Sequence, residues 1–187
     1  MAIGDLILLF IALVSLLLLI TLIGSLCVLV PYVPTPPAVV RKMVDFADLK
    51  GGETIYDLGC GDARILIEAL RRKPNVRAIG YELPLGIWML AKVRVYLAGF
   101  PVEIRMRDLW TANLSDADVV FLYLFPEVCA KLEKKLEREL KPGAKVISHG
   151  FALPNWKPEK VERVPLQSWH WLHSKYAEGP RVFLYTR

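Results

Sequence analysis

Ile55-Tyr56-Asp57-Leu58-Gly59-Cys60-Gly61-Asp62 decides the fold. An apolar, β-type run ends on an acid. Two glycines follow with one residue between them, and the helical pattern Ile65, Leu66, Ala69, Leu70 begins directly after. A strand feeding a glycine turn and then a helix is the opening unit of a doubly wound sheet, whose ligands sit outside the carboxyl ends of the strands. Glycine at 59 and 61 lets the backbone come close to such a ligand. A dinucleotide fingerprint wants a third glycine at 64, where Arg64 stands, and a Walker loop wants Gly-Lys-Ser/Thr, which is absent. Asp57 and Asp62 repel a pyrophosphate. They suit a ligand carrying ammonium and sulfonium charge.

Outward from this loop the pattern alternates. Strands are expected at Thr54–Leu58, Val76–Tyr81, Val102–Met106, Asp118–Leu124 and Ala144–Ser148. Helices are expected at Pro84–Ala98, closed by Gly99, and at Pro126–Leu140, with Val128, Leu132, Leu136 and Leu140 in one stripe. The alternation predicts an α/β fold, a Rossmann-like, doubly wound and mostly parallel sheet. The aromatic-rich tail, 151–187, adds strand-like runs at Val161–Pro165 and Arg181–Thr186. Acids recur at the strand ends. Glu82 lies 21 residues after Gly61, where doubly wound folds bind a ribose hydroxyl pair. Asp108, in Arg107-Asp108-Leu109-Trp110, can meet an adenine amino group.

Toward the N-terminus the character changes. The 187-residue chain holds 24 Lys+Arg and 19 Asp+Glu, net +5, yet residues 1–30 carry only Asp5, so residues 31–187 hold 24 − 18 = +6. From Leu6 to Val30 run 25 uncharged residues, about 37 Å of helix against about 30 Å of hydrocarbon. A cleaved signal peptide wants a basic start and a shorter apolar core, so a retained single-pass anchor is expected. Arg41 and Lys42 follow the span, which places the C-terminal part on the cytoplasmic side. Cys27, Cys60 and Cys129 make no disulfide framework and no zinc spacing, and they fit a reducing compartment. The expected organisation is an anchor over 1–30, a Pro-rich connector and lid helix over 31–52, and a ligand-binding domain over 53–187. Thr35 is expected to N-cap the lid helix with Pro36 at its first position. That helix carries Val39, Val40, Met43 and Phe46 inward and ends near Gly51-Gly52.

These motifs resemble the class I (seven-strand) S-adenosylmethionine methyltransferases. They resemble most closely the membrane-anchored protein-lysine methyltransferases of the ATP synthase c-subunit and adenine nucleotide translocase type, and more distantly the non-SET histone lysine methyltransferase. The resemblance rests on Tyr32-Val33-Pro34-Thr35, Asp57 to Arg64, Gly80-Tyr81-Glu82, Asp108-Leu109-Trp110, Phe121 to Pro126 and Phe151 to Trp156. It implies S-adenosylmethionine as cofactor. Asp57 and Asp62 then hold its methionine end, with Gly59, Cys60 and Gly61 giving access. Glu82 takes the ribose, Asp108 and Leu109 the adenine, and Tyr32 and Thr35 form a lid. Tyr123, Leu124, Phe125 and Pro126 line the acceptor channel, with no firm general base. The family usually has Gly at position 63 and often Ser at position 60. Ala63 is therefore expected to have a negative φ.

Several features are read as structural. His170 and His173 have no third ligand, so no metal is expected. His149 is expected to be a structural histidine. Trp169-His170-Trp171 fits lipid, a substrate helix or packing. The Lys/Glu run 131–141 reads as a solvated helix face. The scattered basic residues point to anionic lipid rather than nucleic acid. The expected activity is methylation of a lysine in a membrane or membrane-associated protein. The alternatives are a lipid or quinone methyltransferase and a non-catalytic cofactor-binding module at the membrane.

Overall fold

β1 (Thr54–Leu58) lies at the centre of a seven-stranded sheet with the order β3-β2-β1-β4-β5-β7-β6. The computed structural model describes residues 3–27, 32–165 and 179–187. Its other strands are β2 (Arg77–Glu82), β3 (Val102–Met106), β4 (Val119–Leu122), β5 (Lys145–His149), β6 (Lys160–Arg163) and β7 (Arg181–Thr186). The helices are α1 (Ile3–Cys27), α2 (Pro37–Ala47), α3 (Arg64–Arg72), α4 (Leu85–Ala98) and α5 (Pro126–Glu139). Strands β1 to β5 run parallel, and β7 inserts antiparallel between β5 and β6. The strand order reverses between β1 and β4. At such a switch point the two following connections leave in opposite directions and open a crevice.

Two apolar layers clamp the sheet. Residues of α2, α3 and α4 pack with Ile55, Ala78, Ile104 and Phe121 on one face. Val128, Cys129, Leu132 and Leu136 of α5 pack with Tyr56, Leu58, Val120 and Leu122 on the other. The strands are buried on both sides, which is why β1 and β4 read as nearly continuous apolar runs.

Strand and helix limits follow the expected pattern to within a few residues, and some differences have consequences. β4 stops at Leu122, so Tyr123-Leu124-Phe125 leaves the ladder and becomes available to a cleft. Asp118 stands just before that strand and accepts from the Thr54 N–H at 2.8 Å. Thr35 does not cap α2. Pro36 is the N-cap, Pro37 opens the helix, and Thr35 is buried beside the sheet. The helix ends at Ala47, short of Gly51-Gly52, because Asp48 turns left-handed with φ 48°. The run 131–141 is not wholly solvated. Glu133 is buried and accepts from Asn155 N and Nδ2, both at 2.7 Å, which pins the segment after β5 to α5.

Along α1, the side chains from Ile3 to Ile20 are exposed except for half-buried Leu17. An 18-residue window there has mean hydropathy 2.9 and the length to cross a membrane. Trp169, His170, Trp171 and His173 lie outside the described residues, as do residues 28–31 at the end of the expected anchor.

Candidate active site

The crevice at the ends of β1 and β4 holds about 560 Å³. Its walls collect Tyr32, Thr35, Asp57, Gly59, Cys60, Gly61, Asp62, Glu82, Asp108, Leu109, Tyr123, Leu124 and Phe125. Of the residues singled out from sequence, Pro126 is not among its lining. It opens α5 immediately behind Phe125.

The loop after β1 is pinned to β2 by its own backbone. The N–H groups of Gly59 and Cys60 both donate to the Tyr81 carbonyl, at 2.9 and 3.0 Å. Gly59 and Gly61 have φ of +80° and +56°, in the left-handed region that glycine enters without steric penalty. A Cβ on Gly61 would lie 2.9 Å from the Tyr32 ring, so Tyr32 sits directly over the loop. The Cys60 sulfur packs over Gly80, where an added Cβ would approach it to 2.7 Å. Burial holds that thiol well above its ordinary pKa, which removes it as a nucleophile.

Ala63 departs from expectation. Its φ is +62°, not negative, and it is wholly buried as the N-cap of α3. Left-handed backbone costs an L-residue about 1–2 kcal/mol. The conformation is held by an N–H donation to the Cys60 carbonyl and by the Ala63 carbonyl accepting from Ile67, both at 2.9 Å.

Three carboxylates face the crevice in different states. Asp57 is 2% exposed, and its Oδ2 has no hydrogen-bond partner among the described residues. Burial, then Glu82 and Asp62, push its pKa well above the carboxylate range. Burial likewise pushes Glu82 up to about 7, against the N–H donors of Gly61 and Leu83. Glu82 Oε2 accepts from Gly61 at 2.7 Å. Asp62 is different. Burial opposes its ionisation, but Arg64 and Arg94 more than offset this and lower its pKa. Arg64 Nε and Nη2 donate to the two Asp62 oxygens at 2.8 and 2.7 Å, and Arg94 joins from α4. Arg64 Nη1 also donates to the Thr35 carbonyl at 2.7 Å, tying the segment before α2 to the loop.

Asp108 accepts from the Trp110 N–H at 3.1 Å and so caps a single 3-10 turn, Leu109–Thr111, at the crevice edge. Tyr32 is half-buried, and burial followed by the Asp62 charge raises its pKa. His149 stays behind the wall. It is 3% exposed, its ring centroid lies 3.9 Å from that of Tyr123, and burial lowers its pKa to about 4. It is therefore neutral and structural.

The residues fit S-adenosylmethionine. Two glycines allow close approach, an orphaned buried carboxylate oxygen awaits a donor, and the raised pKa values of Asp57 and Glu82 fall when a cation arrives. Sequence reasoning missed the arginine clasp on Asp62 and the lining by Arg107 and Lys131. Asp62-x-Arg64 was a local signal for the clasp. Lys131 was legible from its place one turn into the helix that Phe125 introduces. Among the described residues, no group of His, Cys, Asp and Glu is placed to hold a metal.

Known proteins resemble this chain in sequence and fold. A family model described as the ANTKMT methyltransferase domain matches residues 57–160. A protein-lysine N-methyltransferase of Saccharolobus islandicus is 38% identical over 137 residues, 72% of this chain and 85% of that protein. The human lysine N-methyltransferase named for the ATP synthase c-subunit is 34% identical over 137 residues, 72% of this chain and 57% of that protein. The chain thus spans little more than half of the human relative's length. A crystal structure of an RNA methyltransferase from Salinibacter ruber, in complex with S-adenosyl-L-homocysteine, is 38% identical with a TM-score of 0.72. That match covers 82% of this chain and 93% of the other.

Proposed function

The chain belongs to the ANTKMT methyltransferase domain family, and from that premise we propose that it methylates a lysine of a membrane or membrane-associated protein, using S-adenosylmethionine. One observation carries the reading. A single crevice sets the orphaned Asp57 carboxylate against a wall made of Tyr123, Leu124, Phe125, Val128 and Phe151. Relatives named for lysine methylation of the ATP synthase c-subunit and of adenine nucleotide translocase support a membrane-protein acceptor.

The cofactor supplies a methyl group activated by a cationic sulfur. Asp57 accepts from its ammonium, Glu82 from its ribose hydroxyls, and Asp108 and Leu109 border the adenine. Tyr32 and Thr35 cover the loop. Asp62 acts through Arg64 and Arg94, which fix the loop's shape. The acceptor wall has a separate task. A lysine ammonium with a pKa of about 10.4 is neutral in only about one molecule in 2,500 at pH 7. An apolar strip of Tyr123, Leu124, Phe125 and Phe151 disfavours the charged form by desolvation and so raises the neutral fraction. No side chain is needed as general base. Alignment of the amine with the methyl group is the chain's main contribution.

In this reading α1 anchors the protein and Arg41 and Lys42 keep the crevice on the cytoplasmic side. The anchor confines enzyme and acceptor to one surface, which raises their effective concentration. A second reading, RNA methylation, draws on the similarity to the Salinibacter ruber RNA methyltransferase. It needs a cationic track, and among the described residues the crevice offers only Arg107 and Lys131 beyond Arg64, which already pairs with Asp62.

The test is to incubate the full-length protein with host membranes and methyl-labelled S-adenosylmethionine, with Asp57→Ala as control. Label in one protein band, lost in the control and mapped to lysine by mass, supports the proposal. Label in the organic extract transfers it to a lipid or quinone, and label in RNA to the second reading. Cofactor binding without transfer leaves a binding module.

A further inference from the structure

α4 is unlike the other helices that cover the sheet. Only Ala91 and Val95 on it are buried. Its outward side carries Leu85, Met89, Val93 and Tyr96 at helical spacing, widened by Leu90 and Leu97, and all six are exposed. Tyr96 and Leu97 are 84% and 77% exposed. The outward residues of α5 over the same length are Glu127, Lys131, Lys134, Glu137 and Arg138. Isolated exposed apolar residues are ordinary, whereas a contiguous stripe on one helix marks a contact surface.

We propose that this stripe lies in the surface of the lipid bilayer, so that the protein rests on the membrane along α4 as well as being anchored through α1. The inference rests on the anchored reading of α1. Three observations select a bilayer over a protein partner. First, α1 packs against α4, so the candidate span and the stripe are neighbours. Second, Lys92 borders the stripe beside Leu85 and Tyr96. A long basic side chain at the margin of an apolar face reaches up to headgroups while the face sinks about 5–10 Å into the interface. Arg94, past the Leu90 edge, turns instead to Asp62. Third, residues 31–187 carry net +6, which suits anionic lipid.

The placement has a functional consequence. Leu83 and Pro84, which lead into α4, line the crevice. A bilayer under α4 therefore brings the crevice mouth close to the headgroup plane, where a lysine at the end of a transmembrane segment is presented. Acceptor choice then depends on depth as well as on local sequence.

The test labels Tyr96→Cys and Lys134→Cys in the full-length protein with an environment-sensitive thiol dye, the unsubstituted protein serving as labelling blank. Each is reconstituted into phosphatidylcholine–phosphatidylglycerol vesicles, with and without acyl chains brominated near the glycerol end. The expected result is blue-shifted emission at position 96 that bromine quenches, and aqueous, unquenched emission at 134. If the protein floats with the vesicles while both labels stay aqueous, the anchor holds and the docking of α4 is wrong. A blue shift at 96 that bromine does not quench means that a protein surface covers the stripe, and also overturns the proposal. Failure to float removes the anchored reading and this inference with it.

Discussion

Asp57, Asp62 and Glu82 stand on the β1–β2 side of the crevice; Tyr123, Leu124, Phe125, Val128 and Phe151 stand on the β4–α5 side. The first side is under electrostatic tension in the bare protein, since burial raises the pKa of both Asp57 and Glu82. The second is a continuation of the core, with Leu124 1% exposed and the Phe125 and Phe151 ring centroids 6.2 Å apart. In the proposed function the first side is built for a cation and is strained without it. The other needs no ligand to be stable and is proposed to discriminate by excluding charge. Perturbing one side should spare the function of the other, which makes the division testable.

Asp57→Ala gives the largest effect. Removing one member of a buried charged pair weakens binding at least about 30-fold. Calorimetric titration with S-adenosylmethionine should show that loss, and thermal unfolding should show no loss of stability in the ligand-free protein, because an unsatisfied buried carboxylate is removed. Cofactor affinity within a few-fold of the parent would break the assignment of this side.

Glu82→Gln comes next and works in two directions. The folded pKa of about 7 exceeds the ordinary value of 4.5. The folded chain therefore keeps a proton that the unfolded chain has released. The ligand-free protein loses stability as pH rises from about 4.5 to about 7, and the deficit of about 3 kcal/mol persists above that. Gln cannot ionise but surrenders one of the two acceptors for Gly61 and Leu83, about 1 kcal/mol. The variant should be about 2 kcal/mol more stable than the parent at pH 8, with no advantage at pH 4.5, in thermal melts at the two pH values. Its cofactor affinity should fall about tenfold at pH 8. His149 titrates in the opposite sense. Its pKa falls from 6.5 to about 4, so its contribution is present above pH 6.5 and fades below, equally in both proteins.

Phe125→Ala addresses the opposite side. Cofactor affinity should stay within about twofold, while kcat/KM for the protein acceptor drops about tenfold, the value of one exposed aromatic contact. With less desolvation, the rate should depend more steeply on pH above neutrality, and the ratio of variant to parent should recover at pH 9. A matched loss of cofactor affinity would mean that the two sides are not separable.

The charged side was far more legible in the sequence than the apolar one. Asp57, Glu82 and Asp108 each sit at a strand end, and strand ends are readable from alternation and glycine. The doubly wound, mostly parallel sheet also follows from alternation, because parallel connections leave few topologies, whereas the strand order itself comes from the structure. The state of each acid was not legible. Asp57 and Asp62 look alike in the sequence, yet one is orphaned and the other is clasped by Arg64 and by Arg94, 32 residues away. Such pairing depends on α4 bringing Arg94 to the loop before α3, which no local pattern encodes. The acceptor side was reached through the family resemblance, not through local pattern. Tyr123 to Phe125 continues the apolar run of β4, and only the end of pairing at Leu122 separates wall from strand. The stripe on α4 was hidden, because helical periodicity does not say which apolar face turns inward.

Ala63→Gly gives the smallest effect and tests whether the loop under the charged side stores useful strain. Relief of left-handed backbone returns about 1–2 kcal/mol. Loss of a fully buried methyl removes about 0.8 kcal/mol, and greater freedom in the unfolded chain removes a further 0.4–1 kcal/mol, roughly. These nearly cancel, so stability should change by less than about 1 kcal/mol in denaturant unfolding. Cofactor affinity should not change, because the N–H and carbonyl of residue 63 are engaged by Cys60 and Ile67, not by the crevice. A gain in stability paired with a loss of affinity would show instead that the methyl at 63 holds Gly59 and Gly61 in their binding shape. Strain would then belong to the function of this side, and the contrast with the relaxed apolar wall would be sharper than the carboxylates alone make it.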